Sequence, residues 1–166
     1  MIFSARVAFN YFIKKGAVMK KFVWFLSVVT FMFWMPSFVF GQGDVLQMQQ
    51  TNIEGIIAEV IECKRKKGIL SIKVKFTNQS DDEVSLYLGT GSSYKEFYLT
   101  SENKKYFILE DAEGEALAPA NINTRLKKGK SHYWWAKFPA PPAEVKEINI
   151  IIPKVFPFED VEITDK

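Results

Sequence analysis

The chain has 166 residues, which is the size of one globular domain. Hydrophobic residues make up 48% of it and charged residues 25%, and this composition excludes a wholly disordered protein. It contains one cysteine and one histidine, which excludes an internal disulfide and leaves too few ligands for a zinc site built from cysteine and histidine.

An uncharged, mostly apolar run over residues 22–40 follows directly after two lysines. A short basic segment, an apolar stretch and small residues at its end are typical of a secretory signal peptide. Val39 and Gly41 suit the −3 and −1 positions of a cleavage site, so we predict a signal peptide over residues 1–41 that is cleaved before Gln42. The same run has the length needed to cross a bilayer, so a membrane anchor over residues 22–40 is the alternative.

The charge of the chain belongs largely to this leader. Residues 1–41 carry five of the 22 basic residues and none of the 19 acidic ones, which leaves the mature chain with a net charge of −2. Overall basicity is therefore no argument for a nucleic-acid partner, and we predict none. Met19, directly before the two lysines, is an alternative start that would leave residues 1–18 untranslated.

Beyond the leader, apolar and polar residues alternate with a period of two, which is typical of half-buried antiparallel strands. Residues 42–54 are polar and rich in glutamine, and we predict that they form a flexible lead-in. Strands are predicted over residues 55–62, 70–77, 83–88, 94–99, 105–111, 131–138 and 145–152, and near residues 161–163. Short strands separated by turns rich in Gly, Asn and Asp predict an all-β sandwich or small barrel over residues 55–166.

Cys63 and His132 are the residues from which a cysteine–histidine catalytic pair would have to be built. Alternation places His132 on the apolar face of its strand, which favours a position at the edge of the core. Cys63 is expected at the end of a strand, beside a basic run over residues 64–67 that we assign to a solvated turn. The adjacent cations would lower the pKa of Cys63 and make it reactive. A small apolar side chain at a strand end is the simpler interpretation, and dimerisation through Cys63 is a third.

Three other motifs suggest a metal site or a modification. The acidic clusters over residues 81–83 and 110–115 offer oxygen ligands for calcium, but neither has the spacing of an EF-hand loop. A hairpin turn with Gly114 at a positive φ explains the second cluster without a metal. Asn78 begins a glycosylation sequon.

No complete set of nucleophile, base and orienting group is present, so we predict no catalytic residue, no cofactor and no metal site.

The strand over residues 131–138 is rich in aromatic residues. Alternation directs Trp134 and Phe138 into the core, and directs Tyr133, Trp135 and Lys137 outward. Two aromatic side chains on one face form a platform that can stack on a sugar ring or anchor a protein partner. Tyr133, Trp135 and Lys137 are therefore the candidate binding surface. The alternative is that a neighbouring loop or the proline-rich segment over residues 139–142 covers them.

The second half of the chain resembles a known group of exported domains. Residues 106–114 (Tyr-Phe-Ile-Leu-Glu-Asp-Ala-Glu-Gly) and 135–142 (Trp-Ala-Lys-Phe-Pro-Ala-Pro-Pro), followed by the apolar positions over residues 145–163, form an ordered series. The series resembles the central hairpin and closing strands of bacterial Ig-like domains, some of which accompany OmpA-type envelope proteins. It is more distantly similar to the immunoprotective extracellular antigen family. The resemblance spans residues 55–163 and implies an immunoglobulin-like antiparallel β-sandwich in the periplasm or outside the cell. It implies no catalytic residues.

The function expected on these grounds is an exported, non-catalytic Ig-like domain that binds a protein partner or a component of the cell envelope. A carbohydrate-binding module that uses the aromatic platform is the alternative. An enzyme, such as a hydrolase acting through acidic residues, is the third class considered.

Overall fold

The computed structural model describes residues 45–119 and 121–166. The predicted signal peptide, its cleavage site and the alternative membrane anchor all lie outside the described residues. Within the described part of the chain, no helix is long and apolar enough to cross a membrane.

The described residues form eleven strands and a short 3-10 helix. In chain order these are β1 (Gln47–Gln50), β2 (Ile56–Lys66), β3 (Ile69–Asn78), β4 (Val84–Thr90), the 3-10 helix (Gly91–Glu96), β5 (Tyr98–Ser101), β6 (Lys104–Phe107), β7 (Asn121–Leu126), β8 (Ser131–Pro139), β9 (Glu147–Ile151), β10 (Phe158–Glu162) and β11 (Thr164–Asp165). The protein is all-β, as the alternation predicted.

The strands are arranged in two larger sheets and a ribbon. The first sheet has the order β1-β2-β3-β8, with β11 also beside β2, and the second has the order β10-β9-β5-β6. Strands β4 and β7 form a separate two-stranded ribbon. The pairings are antiparallel, apart from the short parallel pairing of β11 with β2.

One hydrophobic core contains the inward side chains of both larger sheets. In β3 every second residue is buried, and in β8 the buried residues are Trp134, Ala136 and Phe138. Ile148 and Ile150 bring β9 of the second sheet into the same core. The proline-rich segment therefore connects strands of different sheets, as its missing N–H donors favour. Antiparallel sheets around one core are consistent with a β-sandwich.

A bulge in β2 changes which residues face the core. The register with β3 shifts between Val60 and Glu62, so the strand carries one extra residue there. Ala58 and Val60 are buried before the bulge, and Cys63 and Arg65 are buried after it. The inward positions thus change from even to odd numbers, because side chains alternate strictly along a strand.

The turn predicted over residues 64–67 is wrong, because most of these residues belong to β2. β2 continues to Lys66, and the hairpin to β3 turns at Lys67 and Gly68, which have φ values of 49° and 77°. Two successive positive φ values are typical of a type I′ turn, and glycine at the second position accepts this conformation without steric cost. The basic residues before the turn therefore belong to a strand, and Cys63 lies inside it and not at its end.

The predicted flexible lead-in is wrong over its middle part. Gln47–Gln50 form β1, which pairs antiparallel with Ile57–Val60 of β2. The pairing uses backbone groups along a sheet edge, so the strand shows no apolar alternation that the sequence could reveal. The predicted strand over residues 94–99 is a 3-10 helix as far as Glu96, and β5 begins only at Tyr98.

Candidate functional site

The candidate binding surface lies on the outer face of β8, the last strand in the order of the first sheet. The Tyr133 side chain is 51% exposed and the Trp135 side chain 43% exposed, whereas Trp134 between them is fully buried. Lys137 is also exposed on this face. The structure thus has the orientations that the alternation predicts, and residues 139–142 do not cover the two rings. Ligand binding by these residues remains a prediction.

The register of the sheet defines the neighbours of these side chains. Lys75, Lys73 and Ser71 of β3 lie directly opposite Tyr133, Trp135 and Lys137, respectively. In the next strand, Glu59, Glu62 and Lys64 of β2 lie opposite Lys75, Lys73 and Ser71. Directly paired residues project on the same side of a sheet, so these side chains share one outer face.

Two lysines on this face contact neighbouring side chains. The Lys73 Nζ lies 5.4 Å from the centroid of the Tyr133 ring, a cation–π contact between adjacent strands. The Lys75 Nζ lies 2.9 Å from Glu59 Oε2, and Glu59 is only 7% exposed. Lys75 is thus held by an internal ion pair, whereas Lys73 lies against the aromatic platform. We call Tyr133, Trp135, Lys73 and Lys137 the aromatic–lysine face.

Cys63 and His132 do not form a catalytic pair. The register aligns Cys63 with Ile72 of β3 and, through it, with Ala136 of β8. His132 is four residues farther along β8, a separation of roughly 13 Å along the strand, which is beyond hydrogen-bond reach. His132 is half-buried and lies opposite Phe76, in the predicted position at the edge of the core.

Burial also makes Cys63 a poor nucleophile. The residue is 1% exposed, and burial raises the pKa of its thiol to about 12, although the positive charge of Arg65 acts in the opposite direction. The hypothesis of a pKa lowered by adjacent cations is therefore wrong, because the bulge turns the thiol inward. A disulfide to a second chain is excluded in the folded state for the same reason.

The sequon asparagine has a structural role. Asn78 is fully buried, and its Nδ2 donates hydrogen bonds of 2.7 Å to the carbonyl oxygens of Asp82 and Leu126. Its Oδ1 accepts hydrogen bonds from the backbone N–H and the hydroxyl group of Ser80. An amide engaged at both ends in the core is not available for glycosylation in the folded protein.

The second acidic cluster is a turn, as predicted. Asp111 Oδ1 accepts hydrogen bonds from the backbone N–H groups of Glu113 and Glu115, at 3.0 and 2.8 Å. Gly114 has a φ of 83°, a conformation that glycine adopts readily. Within the described residues, no three His, Cys, Asp or Glu side chains are grouped as metal ligands would be.

Among the described residues, Arg65 makes the most side-chain hydrogen bonds, a role that was not predicted from the sequence. Arg65 is 8% exposed, and its guanidinium donates to both carboxylate oxygens of Asp165, at 2.6 and 3.0 Å. It also donates to backbone carbonyl oxygens of the crossover between the sheets, namely those of Pro141, Pro142, Ala143 and Val145. The prediction of a solvated basic run is wrong for Arg65, because the bulge directs it inward. Because Arg65 stands among lysines in the sequence, no pattern there indicates that it is buried and hydrogen-bonded.

A cavity of about 470 Å³ lies beside β6, lined by Lys104–Glu110 together with Pro139 and Ala140. No residue of the aromatic–lysine face lines this cavity. The cavity and the face are therefore separate features of the protein surface.

Comparisons with known proteins give no family. No protein-family model matches the sequence, and no curated protein matches it. Among solved structures, the chain is similar to a functionally unknown protein from Listeria monocytogenes EGD-e, with 12% sequence identity and a TM-score of 0.38. The match covers 72% of this chain and 89% of that chain. Similarity at this level carries no argument about function.

Proposed function

We propose that the protein is an exported, non-catalytic Ig-like domain that binds a protein partner or a component of the cell envelope through the aromatic–lysine face. The observation that carries this proposal is the exposure of Tyr133 and Trp135 side by side on an ordered strand. Large aromatic side chains supply much of the energy of binding interfaces, and adjacent exposed ones are typical of such surfaces.

The order of the strands supports the Ig-like part of the proposal. If β2, β3, β5, β6, β8, β9 and β10 are lettered A, B, C, C′, E, F and G, the two larger sheets contain A-B-E and G-F-C-C′. Immunoglobulin-like sandwiches divide their strands between two sheets in this way. The ribbon of β4 and β7 is an addition to that plan.

The non-catalytic part is supported by the separation of Cys63 from His132 and by the burial of Cys63. Export is supported by the sequence of residues 20–41, with its lysines, its apolar run and the small residues at the end. The periplasm and the extracellular space are both compatible with that pattern.

A carbohydrate-binding module is the second candidate. The two exposed rings are two residues apart on one strand, so they are spaced by roughly 7 Å on one face. A flat pair of rings at this distance can stack on successive parts of a sugar chain.

Co-sedimentation of the purified protein with an envelope fraction of the native host tests the proposed function. We expect the wild-type protein to sediment with the fraction and the Tyr133→Ala/Trp135→Ala variant to remain in the supernatant. Phe107→Ala is the matched control, because Phe107 is 49% exposed and lies in the second sheet. Equal sedimentation of the double variant, or no sedimentation of the wild type, would contradict the proposal.

A further inference from the structure

The outer face of the first sheet carries an excess of positive charge. The strands β2, β3 and β8 place five lysines on it, Lys64, Lys66, Lys73, Lys75 and Lys137, and two glutamates, Glu59 and Glu62. The predicted mature chain has a net charge of −2, so this face differs in sign from the molecule as a whole.

The positive charge is concentrated at the aromatic rings. Glu59 is engaged by Lys75, and in the described residues no carboxylate lies within salt-bridge distance of Lys73 or Lys137. Glu62 is exposed and lies opposite Lys73 in the register, without an ion pair to it. Lys73 is directly opposite Trp135 in the register, and its Nζ lies over the Tyr133 ring, so its ammonium group lies within the aromatic platform.

The chemistry of the face selects one class of ligand. Exposed rings on a sheet surface offer flat apolar areas, and the C–H face of a sugar ring can stack on them. A protein partner would instead be anchored by side chains that enter well-packed pockets. Lysine ammonium groups beside the rings favour a ligand with negative charge next to its stacking surface.

We propose that the aromatic–lysine face binds an anionic polysaccharide, whose sugar rings stack on Tyr133 and Trp135 while Lys73 and Lys137 pair with its carboxylate or phosphate groups. The inference rests on the proposed function, because it assigns a ligand class to the same face. Carboxylate and phosphate are equivalent for a lysine point charge, so the test includes both.

Affinity electrophoresis of the full chain in gels that contain defined polymers provides the test. Polygalacturonate is compared with its fully methyl-esterified form, and dextran phosphate with dextran, so that each pair differs only in charge. Polyglutamate represents an acidic peptide. We expect retardation by polygalacturonate or dextran phosphate, little by their neutral counterparts, and a loss of retardation as added salt screens the lysines.

The variants connect binding to the face. Trp135→Ala is expected to weaken binding at least tenfold, about the effect of losing one aromatic hot spot. Lys73→Met is expected to weaken it roughly twofold to fivefold and to reduce the dependence on salt. Phe107→Ala and Lys105→Met are the controls, since Lys105 lies 4.2 Å from the Tyr98 ring centroid in the second sheet and is not part of this face.

The inference and the proposed function fail in different ways. Equal retardation by charged and neutral polymers, or retardation by polyglutamate alone, would overturn the inference. Absence of retardation by both anionic polysaccharides would also overturn it. If these results were obtained while sedimentation with the envelope fraction still depended on Tyr133 and Trp135, only the inference would be contradicted. If sedimentation did not depend on these two residues, the proposed function would be contradicted as well.

Discussion

At the scale of single residues, Arg65 connects three parts of the chain that are distant in sequence. Its guanidinium in β2 binds the carboxylate of Asp165 and four carbonyl oxygens of the crossover over residues 141–145. Arginine suits this position, because its planar group offers five donors in fixed directions. Those donors satisfy carbonyl groups that the prolines of the crossover leave outside a regular ladder.

Replacing Arg65 by methionine is expected to lower the free energy of unfolding by about 3 kcal/mol, because carbonyl groups of the crossover lose their charged hydrogen-bond donor. Lys66→Met is the control, since Lys66 is exposed in the same strand, and its effect should stay within about 0.5 kcal/mol. Urea denaturation of the two variants measures the difference. Equal midpoints for both would show that the Arg65 contacts contribute little.

The residues that could be predicted from the sequence are those that obey simple alternation. Tyr133 and Trp135 are outward and Trp134 is inward because β8 is regular over its whole length. Cys63 and Arg65 could not be placed correctly, because one extra residue in β2 exchanges the two faces of the strand. The burial of the Asn78 amide could not be predicted either, since its hydrogen-bond partners Asp82 and Leu126 come together only in the folded chain.

At the scale of the elements, long strands with an apolar face were predictable. β7, which among its described side chains buries only Ile122 and Leu126, and the edge strands β1 and β11 were not predicted. β3 and β8 lie within one residue of their predicted ends, because half of their side chains enter the core. β1 and β11 occupy the same edge of β2 through backbone pairing, on either side of the bulge. Such edge strands bury no regular apolar face, so their sequences lack the hydrophobic periodicity from which strands are predicted.

The pairing of β11 with β2 is expected to weaken in acid. The hydrogen bonds from Arg65 hold the pKa of Asp165 below its usual value, although burial acts in the opposite direction, and the charges of Arg65 and Lys146 add to the lowering. A lowered carboxyl pKa contributes stability above the pKa of the unfolded state, which is about 4 for aspartate, and that contribution is lost as the pH falls through the folded pKa.

The measurement is urea denaturation between pH 2.5 and 7 for the wild type and Asp165→Asn. We expect the wild type to be more stable than the variant near neutral pH and this advantage to shrink below about pH 4. Glu159→Gln, a change at an exposed residue of β10, serves as the control. An advantage that stays constant down to the lowest pH would refute the assigned role of Asp165.

At the scale of the whole molecule, the two faces of the first sheet differ. The first sheet presents Tyr133 and Trp135 with an excess of lysines, and its opposite face contributes to the core shared with the second sheet. Acidic residues are concentrated in turns, such as those over residues 81–83 and 110–115. Sequence patterns indicated Tyr133, Trp135 and Lys137 but not Lys73, because Lys73 comes from another strand and joins them through the register of the sheet.

The proposed export predicts a processed protein. Intact-mass and N-terminal analysis of the native protein from fractionated cells should find a chain that begins at Gln42 outside the membrane fraction, because the small residues at 39 and 41 permit cleavage there. A membrane-bound form that retains residues 22–40 would contradict cleavage. It would tether the domain to a membrane and direct the search for ligands to that surface.

The bulge in β2 also constrains how this sequence can change during evolution. Deleting Ile61 would remove the extra residue and leave a regular ladder in which Val60, Cys63 and Arg65 still face inward. Deleting a residue after the bulge, such as Lys64, would instead act like a frameshift in side-chain orientation and turn Arg65 away from the crossover. Homologues of this domain are therefore expected to gain or lose a residue at position 61 more readily than elsewhere in β2.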